Sequence, residues 1–355
     1  MKKKNILIIQ QILPHYRIKF FFRLSKLCNL SLSFNQINLK EGFIQTYLNK
    51  SINFVTTKKI NFFYLYYQTN LLKNIFLKRY EKVILSCDVK NITNFFILLL
   101  CKILNIKCYV WGHGYFGKNN KYKYFIYKVY YIIINKLAYK YIAYNKQSKK
   151  SLYGLISKKK IIFVNNTLEK KFKKIKKNFN EKNIIFIGRL RDRCNLEILI
   201  RSMAKINSIN KEISLKVIGN GKLFNYYKKK ANKLKVNIRF YKEKINFEKI
   251  SKNCFLGVYP GDVGLTVVDY MLLNLPILIH DRLNEHMGPE AYYVKNNYNG
   301  LLFKKNSVDD LTNKILKIYK DKTLRKKISK NTIYMIQRLN KSEYSKIFFN
   351  KVILN

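Results

Sequence analysis

The feature that most constrains the fold is an alternation between short runs rich in β-forming residues and longer stretches with helical spacing. The first series of β-rich runs comprises NILIIQ at 5–10, LSLSFNQI at 30–37, KVILSCD at 82–88, KCYVWG at 107–112 and IIFVNN at 161–166. Helical patterns lie between these runs. Such alternation is typical of parallel strands joined by right-handed crossovers. The sequence therefore predicts an α/β fold.

The same alternation restarts after a lysine-rich stretch. The second series of predicted strands comprises NIIFIGRL at 183–190, ISLKVIGNG at 213–221, CFLGVYP at 254–260 and PILIHD at 276–281. Two series divided near 170–182 predict two doubly wound domains. We expect an N-terminal domain over 1–172, a C-terminal domain over 173–335, and a terminal helix over 336–355 that packs back on the first domain. The lysine run at 170–177 is interpreted as a solvated linker.

The charge is extremely basic, with 71 Lys and Arg against 19 Asp and Glu, a formal net charge of +52. Before Glu169 the acids are Glu41, Glu81 and Asp88 alone, so the first half is strongly positive. Such a surface is drawn to nucleic acid, to phosphates or to an anionic membrane face. A competing explanation is genome composition, because the abundant Lys, Asn, Ile, Phe and Tyr share A/T-rich codons.

The most apolar run, FFILLLC, is far shorter than the roughly 20 residues that span a bilayer. The six cysteines include no C-x-x-C pair and suggest neither a metal set nor a disulfide framework. Free thiols fit a reducing compartment. We therefore expect a cytoplasmic protein, with a peripheral position at the inner face of the cell membrane as the variant suggested by its charge.

Unusual residues follow the predicted strands. All four histidines and all four prolines lie in LPHYR at 13–17, in WGHGYFG at 111–117, or between 260 and 289. Because parallel sheets bind ligands at the carboxyl ends of their strands, these three segments are the predicted site segments.

The segment GDVGLTVVD combines a glycine turn with the start of a helix. Gly264 lets the backbone approach a ligand, and the amides of Leu265, Thr266 and Val267 are expected to point at an anion there. Asp269 lies about one helical turn further on and can accept hydrogen bonds from sugar hydroxyls. The segment thus predicts a site for a phosphate next to a sugar.

Arginines supply a second predicted anion contact. Arg189 and Arg193 follow a predicted strand in IGRLRDRCN. A guanidinium binds phosphate oxygens in pairs, so both side chains are candidates for holding a diphosphate.

From about 183 to 304 the chain resembles the nucleotide-binding half of family 4 glycosyltransferases of the two-Rossmann-domain (GT-B) type. The ordered matches are FIGRLRDRCNLEILIRSM, KVIGNGKLFNYYKKKANKL, VYPGDVGLTVVDYMLLNLPIL and GPEAYYVKNNYNGLLF. The N-terminal half is similar more loosely, through LPHYR and WGHGYFG. The chain looks most like members that build bacterial surface polysaccharides.

The resemblance implies two Rossmann-like domains facing across a cleft and a specific reaction. A sugar would move from a nucleotide-diphosphate donor to a glycan or lipid-linked glycan acceptor, with retention of the anomeric configuration. The resemblance implies no cofactor beyond the nucleotide sugar and no metal. The partners would be the nucleotide sugar and a glycan or lipid-diphosphate-linked acceptor, and no nucleic acid is expected. Peripheral contact with an anionic membrane is suggested by the charge.

The resemblance also assigns roles to residues of the C-terminal half. Arg189 and Arg193, with the Gly264 turn, would hold the pyrophosphate, and Asp269 would bind the ribose. Asp262 or neighbouring backbone would hold the donor sugar, because the position of the family's first acid is occupied here by Gly261, one place before Asp262. The position where the family has a lysine on the following helix is occupied by Cys194, and the adjacent Arg193 could supply the charge instead. Glu290, in GPEAYY, would also face the cleft.

In the N-terminal half the resemblance implies acceptor contacts. His113, between two glycines, is the candidate catalytic residue for the transferred sugar or the acceptor, together with Asp262 and Asp269. His15 and Arg17 are candidates for contacts to an acceptor phosphate.

Two alternatives stay open from the sequence. A nucleotide-sugar epimerase or a phosphorylase would share the fold. A basic nucleic-acid-binding protein would share the charge, although most aromatic residues lie in helical or strand patterns beside Ile and Leu, which favours a place in the core over base stacking.

Overall fold

The structure is a computed structural model that describes residues 3–34, 52–116, 121–175, 177, 179–242 and 246–354, without the side chains of 121–123. It divides into two compact units. Unit 1 comprises Met1–Glu169 together with Ser342–Asn355, and unit 2 comprises Lys170–Lys341. The ends of the predicted strand LSLSFNQI and of the segment WGHGYFG lie outside the described residues.

Unit 1 is built on a seven-stranded parallel sheet. Its strands are β1 (Asn5–Gln10), β2 (Asn29–Phe34), β3 (Asn53–Phe54), β6 (Lys82–Ser86), β7 (Lys107–Gly112), β8 (Lys140–Ala143) and β9 (Ile161–Phe163). Their order is β3-β2-β1-β6-β7-β8-β9. A separate antiparallel hairpin is formed by β4 (Lys59–Phe62) and β5 (Leu65–Gln68).

Helices cover both faces of this sheet. The helices of unit 1 are α1 (Ile18–Leu27), α2 (Leu71–Lys78), α3 (Ile92–Ile103), α4 (Lys121–Leu137), α5 (Lys146–Lys150) and α12 (Tyr344–Phe348), which continues as a π-helical segment (Phe349–Leu354). Alternate residues of β1 enter two separate cores: Leu7 and Ile9 pack with residues of α2, α3 and α4, whereas Ile6 and Ile8 pack with those of α1 and α12. This burial on both faces explains why β1 is a continuous apolar run.

Unit 2 contains a six-stranded parallel sheet. Its strands are β10 (Asn183–Ile187), β11 (Ser214–Ile218), β12 (Ile238–Tyr241), β13 (Cys254–Tyr259), β14 (Ile277–His280) and β15 (Gly300–Phe303). The order β12-β11-β10-β13-β14-β15 reverses between β10 and β13. The loops after these two strands therefore diverge at a topological switch point, where α/β sheets bind their ligands.

The helices of unit 2 complete the alternation that the sequence predicts. They are α6 (Leu196–Ile209), α7 (Phe224–Lys233), α8 (Phe247–Ser251), α9 (Thr266–Leu272), α10 (Val308–Lys320) and α11 (Lys322–Leu339). Both units are thus doubly wound, and the predicted α/β fold is confirmed. Within the described ranges, no helix combines the length and the apolar character that crossing a bilayer requires.

Candidate functional site at the carboxyl edge of unit 2

The loops after β10 and β13 touch at Gly261. The amide of Asp262 donates to the carbonyl of Arg193 at 2.9 Å. A Cβ added at Gly261 would lie 2.2 Å from that same carbonyl oxygen and 2.6 Å from the carbonyl carbon of Cys194. A side chain does not fit there, so the acid that the resemblance implies for this position is replaced by a close contact between two loops.

Cys194 packs against α7. Its thiol is buried and lies 3.6 Å from the hydroxyl of Tyr227 on α7. Burial raises the pKa of the Cys194 thiol, so the side chain stays neutral. It packs between helices and carries no charge toward a diphosphate.

The Gly264 turn is open to approach. A Cβ built on Gly264 would have one neighbour within 4 Å, the terminal methyl of Met287 at 3.4 Å. The Val267 amide donates to the Gly264 carbonyl at 3.3 Å, so it is not available to a ligand as the sequence suggested. Within the described residues, no acceptor is found for the amides of Leu265 and Thr266, which leaves these two for an anion.

Arg191, which the sequence pattern did not single out, reaches this turn. Its guanidinium lies 2.7 Å from the sulfur of Met287. The amide of Met287 in turn donates to the carbonyl of Val263 at 3.0 Å, directly before Gly264. The Nε of Arg191 is buried and has no hydrogen-bond partner among the residues that the structure describes. Arg191 therefore brings a positive charge next to the open turn.

Two guanidinium groups lie near the end of β13. Burial raises the pKa of the Tyr259 hydroxyl, and the charges of Arg191 and Arg189 act in the opposite direction, which places both near that ring. Arg189 is half-buried, whereas Arg193 is exposed and uses its carbonyl to bind the next loop. Arg189 thus lies where the sequence predicted a cation, with Arg191 beside it.

Asp262 lies in a cluster at the ends of β14 and β15. Its carboxylate is 3.5 Å from Nε2 of His280 and 3.8 Å from Nζ of Lys305. Lys305 also contacts Glu285 at 2.6 Å. Although burial raises the pKa of Asp262, the proximity of His280 and the charge of Lys305 lower it more, so the net shift is downward. The cluster offers both a carboxylate and an ammonium group to a polyhydroxyl ligand.

His286 holds the turn from below. Its Nδ1 accepts the amide of Val263 at 3.0 Å, and its Nε2 lies 3.1 Å from the carbonyl of His280. Since Nδ1 accepts, the proton of the neutral ring is on Nε2. Burial lowers the pKa of His286 to about 3, so the ring is neutral at physiological pH. The side chain therefore joins the loop after β13 to the end of β14, next to Gly264.

Asp269 is paired with a lysine from the run at 170–177 that the sequence predicted to be a solvated linker. Nζ of Lys170 lies 3.1 Å from a carboxylate oxygen of Asp269. Further along the same run, Nζ of Lys177 donates to the backbone carbonyls of Ser251 and Cys254. The interpretation as a solvated linker is therefore wrong for Lys177, which is partly buried, whereas Lys170 is exposed and ion-paired.

Glu290 is buried beside the turn. Its side chain is 1% exposed. A Cβ added at Gly288 would lie 2.0 Å from a carboxylate oxygen of Glu290 and 3.4 Å from the Cα of Gly264. Glu290 thus packs close to the Gly264 turn, with Gly288 between them.

The candidates in unit 1 lie at the carboxyl edge of its sheet. His113 follows β7 and is exposed, and its ring lies 4.5 Å from that of Tyr144. The loop is fixed by Gly114, whose amide donates to the hydroxyl of Tyr141 at 3.2 Å. His15 is exposed in a short 3-10 turn.

Arg17 is buried, whereas the predicted contact to an acceptor phosphate would need an exposed side chain. Its guanidinium lies 5.0 Å from the ring centre of Trp111 and 5.1 Å from that of Tyr344, and it donates to the side chain of Asn166. Cation–π contacts of this kind stabilise a desolvated guanidinium. Arg17 therefore connects the start of α1 with Tyr344 in the C-terminal segment of unit 1.

Comparisons with known proteins bear on both units. Residues 168–335 match the family model described as glycosyl transferases group 1. The match coincides with unit 2. An uncharacterized glycosyltransferase of Methanocaldococcus jannaschii is 28% identical over 156 residues, which is 41% of this chain and 41% of that relative.

Solved structures share the architecture of the whole chain. HepE of Anabaena, in complex with UDP, has a TM-score of 0.74 at 13% identity and covers 100% of this chain and 99% of its own. The lipopolysaccharide outer core galactosyltransferase WaaB has a TM-score of 0.68 at 16% identity over 99% of both chains. The sucrose-phosphate synthase of Thermosynechococcus elongatus has a TM-score of 0.68 at 13% identity, covering 99% of this chain and 98% of its own.

The chain has the GT-B fold. The family match over unit 2 and this fold together support a glycosyltransferase.

Proposed function

We propose that the protein is a glycosyltransferase that moves a sugar from a nucleoside diphosphate donor to a glycan or lipid-linked glycan, with retention and without a metal, in cell-surface polysaccharide synthesis. The observation that carries the proposal is the overlap of the glycosyl transferases group 1 match with the unit whose carboxyl edge bears Arg189, Arg191 and the open Gly264 turn. That HepE of Anabaena has UDP bound supports a nucleoside diphosphate as the leaving group.

The departing diphosphate accumulates charge as its bond to the anomeric carbon lengthens. Two guanidinium groups and the amides of Leu265 and Thr266 stabilise that charge without needing to reorganise, which is how preorganised donors lower a barrier. Cations fixed by the protein can take the place that a metal ion has in other transferases. Arg193, at the exposed rim of the same loop, adds a third cation.

The remaining residues bind the ribose, the donor sugar and the acceptor. Asp269, paired with Lys170, accepts hydrogen bonds from the ribose hydroxyls. Asp262 and Lys305 bind the hydroxyls of the donor sugar. In unit 1, His113 contacts the acceptor or the transferred sugar, and His15 contributes to the acceptor site.

The acceptor is proposed to be carried on a lipid at an anionic membrane. The support is the excess of positive charge, since just three acids precede Glu169 in the whole sequence. A lipid-linked diphosphate and an anionic headgroup both attract such a surface.

The experiment is a transfer assay with radiolabelled UDP-, GDP- and CMP-sugars, each incubated with and without membrane-extracted acceptor lipids. We expect label in a lipid-extractable glycan with one donor, undiminished by EDTA, and a product whose anomeric configuration by NMR equals that of the donor. Conversion of the donor to an isomer without any acceptor would favour an epimerase. Absence of transfer with every donor would contradict the proposal.

A further inference from the structure

Unit 1 exposes a large apolar surface on three adjacent helices. The exposed apolar side chains that define this surface, hereafter the α2–α4 face, are Phe76, Phe95, Leu99, Ile103, Phe125, Val129 and Ile132. The helix α3 packs against both α2 and α4. Helices that cover a parallel sheet usually turn polar side chains outward, so an outward apolar surface of this extent calls for a partner.

The exposed residues follow the helical repeat. Phe95, Leu99 and Ile103 lie at i, i+4 and i+8 on α3, and Ile103 is 72% exposed. Phe125, Val129 and Ile132 lie at i, i+4 and i+7 on α4, and Phe125 is 64% exposed. This spacing places each set in one stripe along its helix. The opposite sides of the same helices are already buried against the sheet.

A lysine near the C-terminal end of each stripe lines a cavity. One turn beyond Leu99 and Ile132 stand Lys102 and Lys136, which share a cavity of about 420 Å³ with Lys107 and Lys160. Among the described residues that line it, none is acidic. Burial lowers the pKa of Lys160, and so does the nearby charge of Lys102. Clustered like charges without a counter-ion favour a bound anion.

The charge around the face has one sign. From Lys58 to Lys136 the sequence contains 14 Lys and Arg and two acids, Glu81 and Asp88. Both acids already accept hydrogen bonds, Glu81 from the amide of Asn5 and Asp88 from the hydroxyl of Tyr66. The hairpin of β4 and β5 contacts α3 through β5 and exposes Phe63 and Tyr64 at its tip.

We infer that the α2–α4 face binds an anionic lipid bilayer, with its apolar stripes inserted at the level of the headgroups and the four-lysine cavity receiving a lipid phosphate. Apolar side chains combined with surrounding cations are the physical signature of interfacial binding to acidic lipids. Two copies meeting through this face would bring their lysines together, at an electrostatic cost. The phenylalanines of the face share it with the aliphatic Leu99, Ile103 and Val129, which can insert into lipid but cannot stack on nucleic-acid bases.

The test is co-sedimentation with vesicles of phosphatidylglycerol and phosphatidylcholine, against vesicles of phosphatidylcholine alone. We expect binding to the anionic vesicles that weakens at high salt. The variant F125Q/V129Q/I132Q and the variant K102Q/K136Q should each reduce that binding about tenfold or more. Equal binding by either variant and the wild type would overturn the assignment, as would failure of the wild type to bind anionic vesicles.

Matched controls remove the same chemistry elsewhere. Ile209 and Tyr334 are comparably exposed on unit 2, so I209S/Y334S controls for the apolar change, and K228Q/K229Q controls for the charge. Neither should alter vesicle binding. Nucleoside diphosphate binding, measured by thermal shift in every variant, should stay unchanged. The link to a lipid-borne acceptor rests on the proposed function, but vesicle binding does not, so the two ideas can fail separately.

A fluorescent reporter tests insertion directly. The native Trp111 is buried, so it gives a constant background. Phe125→Trp should be quenched by brominated anionic lipids, whereas Tyr334→Trp should not. If sedimentation velocity instead shows a dimer that F125Q/V129Q/I132Q dissociates, a second copy covers the face and the lipid assignment is wrong.

Discussion

Nζ of Lys170 lies 3.1 Å from a carboxylate oxygen of Asp269, so the acid proposed to bind the ribose is held by the first residue of unit 2. The Asp269 side chain is 20% exposed, and burial raises its pKa even though Lys170 acts in the opposite direction. A raised carboxyl pKa in the folded state means that the ionised form costs stability, and that this cost grows as pH rises through the folded pKa.

Asp269→Asn should therefore separate binding from stability. Removing the buried charge should leave the melting temperature at pH 7 unchanged or raise it by up to a few degrees (about 2–4 °C). Loss of the charged acceptor should weaken nucleotide binding about tenfold. Calorimetry of both quantities checks this, with the exposed Asp309→Asn as control. A lowered melting temperature with unchanged binding would assign Asp269 a structural role alone.

Two glycines of the same turn should respond differently to alanine. Gly261→Ala places a Cβ 2.2 Å from the Arg193 carbonyl and should destabilise unit 2 by about 1–3 kcal/mol. Gly264→Ala meets just the Met287 methyl at 3.4 Å, so stability should hardly change. The substitution at Gly264 should nevertheless weaken nucleotide binding, because it fills the approach to the amides. Equal effects of both variants on denaturant unfolding would contradict this geometry.

His286 should contribute a pH dependence in the acid range. Its folded pKa of about 3 lies below the ordinary value of 6.5, so the unfolded state binds more protons between these values. The stability that His286 contributes is therefore lost as pH falls from about 6.5 toward 3, with a slope of up to about 1.4 kcal/mol per pH unit. Urea unfolding between pH 5 and 7 should show a shallower dependence in His286→Asn.

The control for this substitution is His15→Asn at an exposed position, which should leave the stability at pH 7 unchanged. In NMR, the ring protons of His286 should not titrate above pH 5. A midpoint near pH 6.5 would mean that the ring does not bridge Val263 and His280.

The fold could be predicted because both sheets are buried on two faces. Strands such as Asn183–Ile187 are then short apolar runs that contrast with helical spacing on either side. The hairpin of β4 and β5 could not be predicted in this way. Its turn contains Phe63 at a φ of 48° and no glycine or proline, and most of its apolar residues are exposed, so neither turn chemistry nor alternation marks it.

The candidate site was predictable in part. The segments that meet at the carboxyl edge were indicated by their glycines, prolines and histidines, but the choice among Arg189, Arg191 and Arg193 was not. In an irregular loop, alternate positions do not fix where a side chain points, and Arg191 is recognised by its contact with Met287, 96 residues away in sequence. The pairing of Lys170 with Asp269 is likewise a tertiary contact that no local pattern encodes.

The most direct test of the central claim is isothermal titration of UDP, GDP and CMP into the wild-type protein, Arg191→Ala and the exposed control Arg239→Ala. We predict that one nucleotide binds the wild type and Arg239→Ala equally. Arg191→Ala should lose about tenfold to a hundredfold in affinity, as expected for a charged hydrogen-bond donor. Unchanged affinity in Arg191→Ala, or no binding of any of the three nucleotides to the wild type, would contradict a diphosphate site at the Gly264 turn.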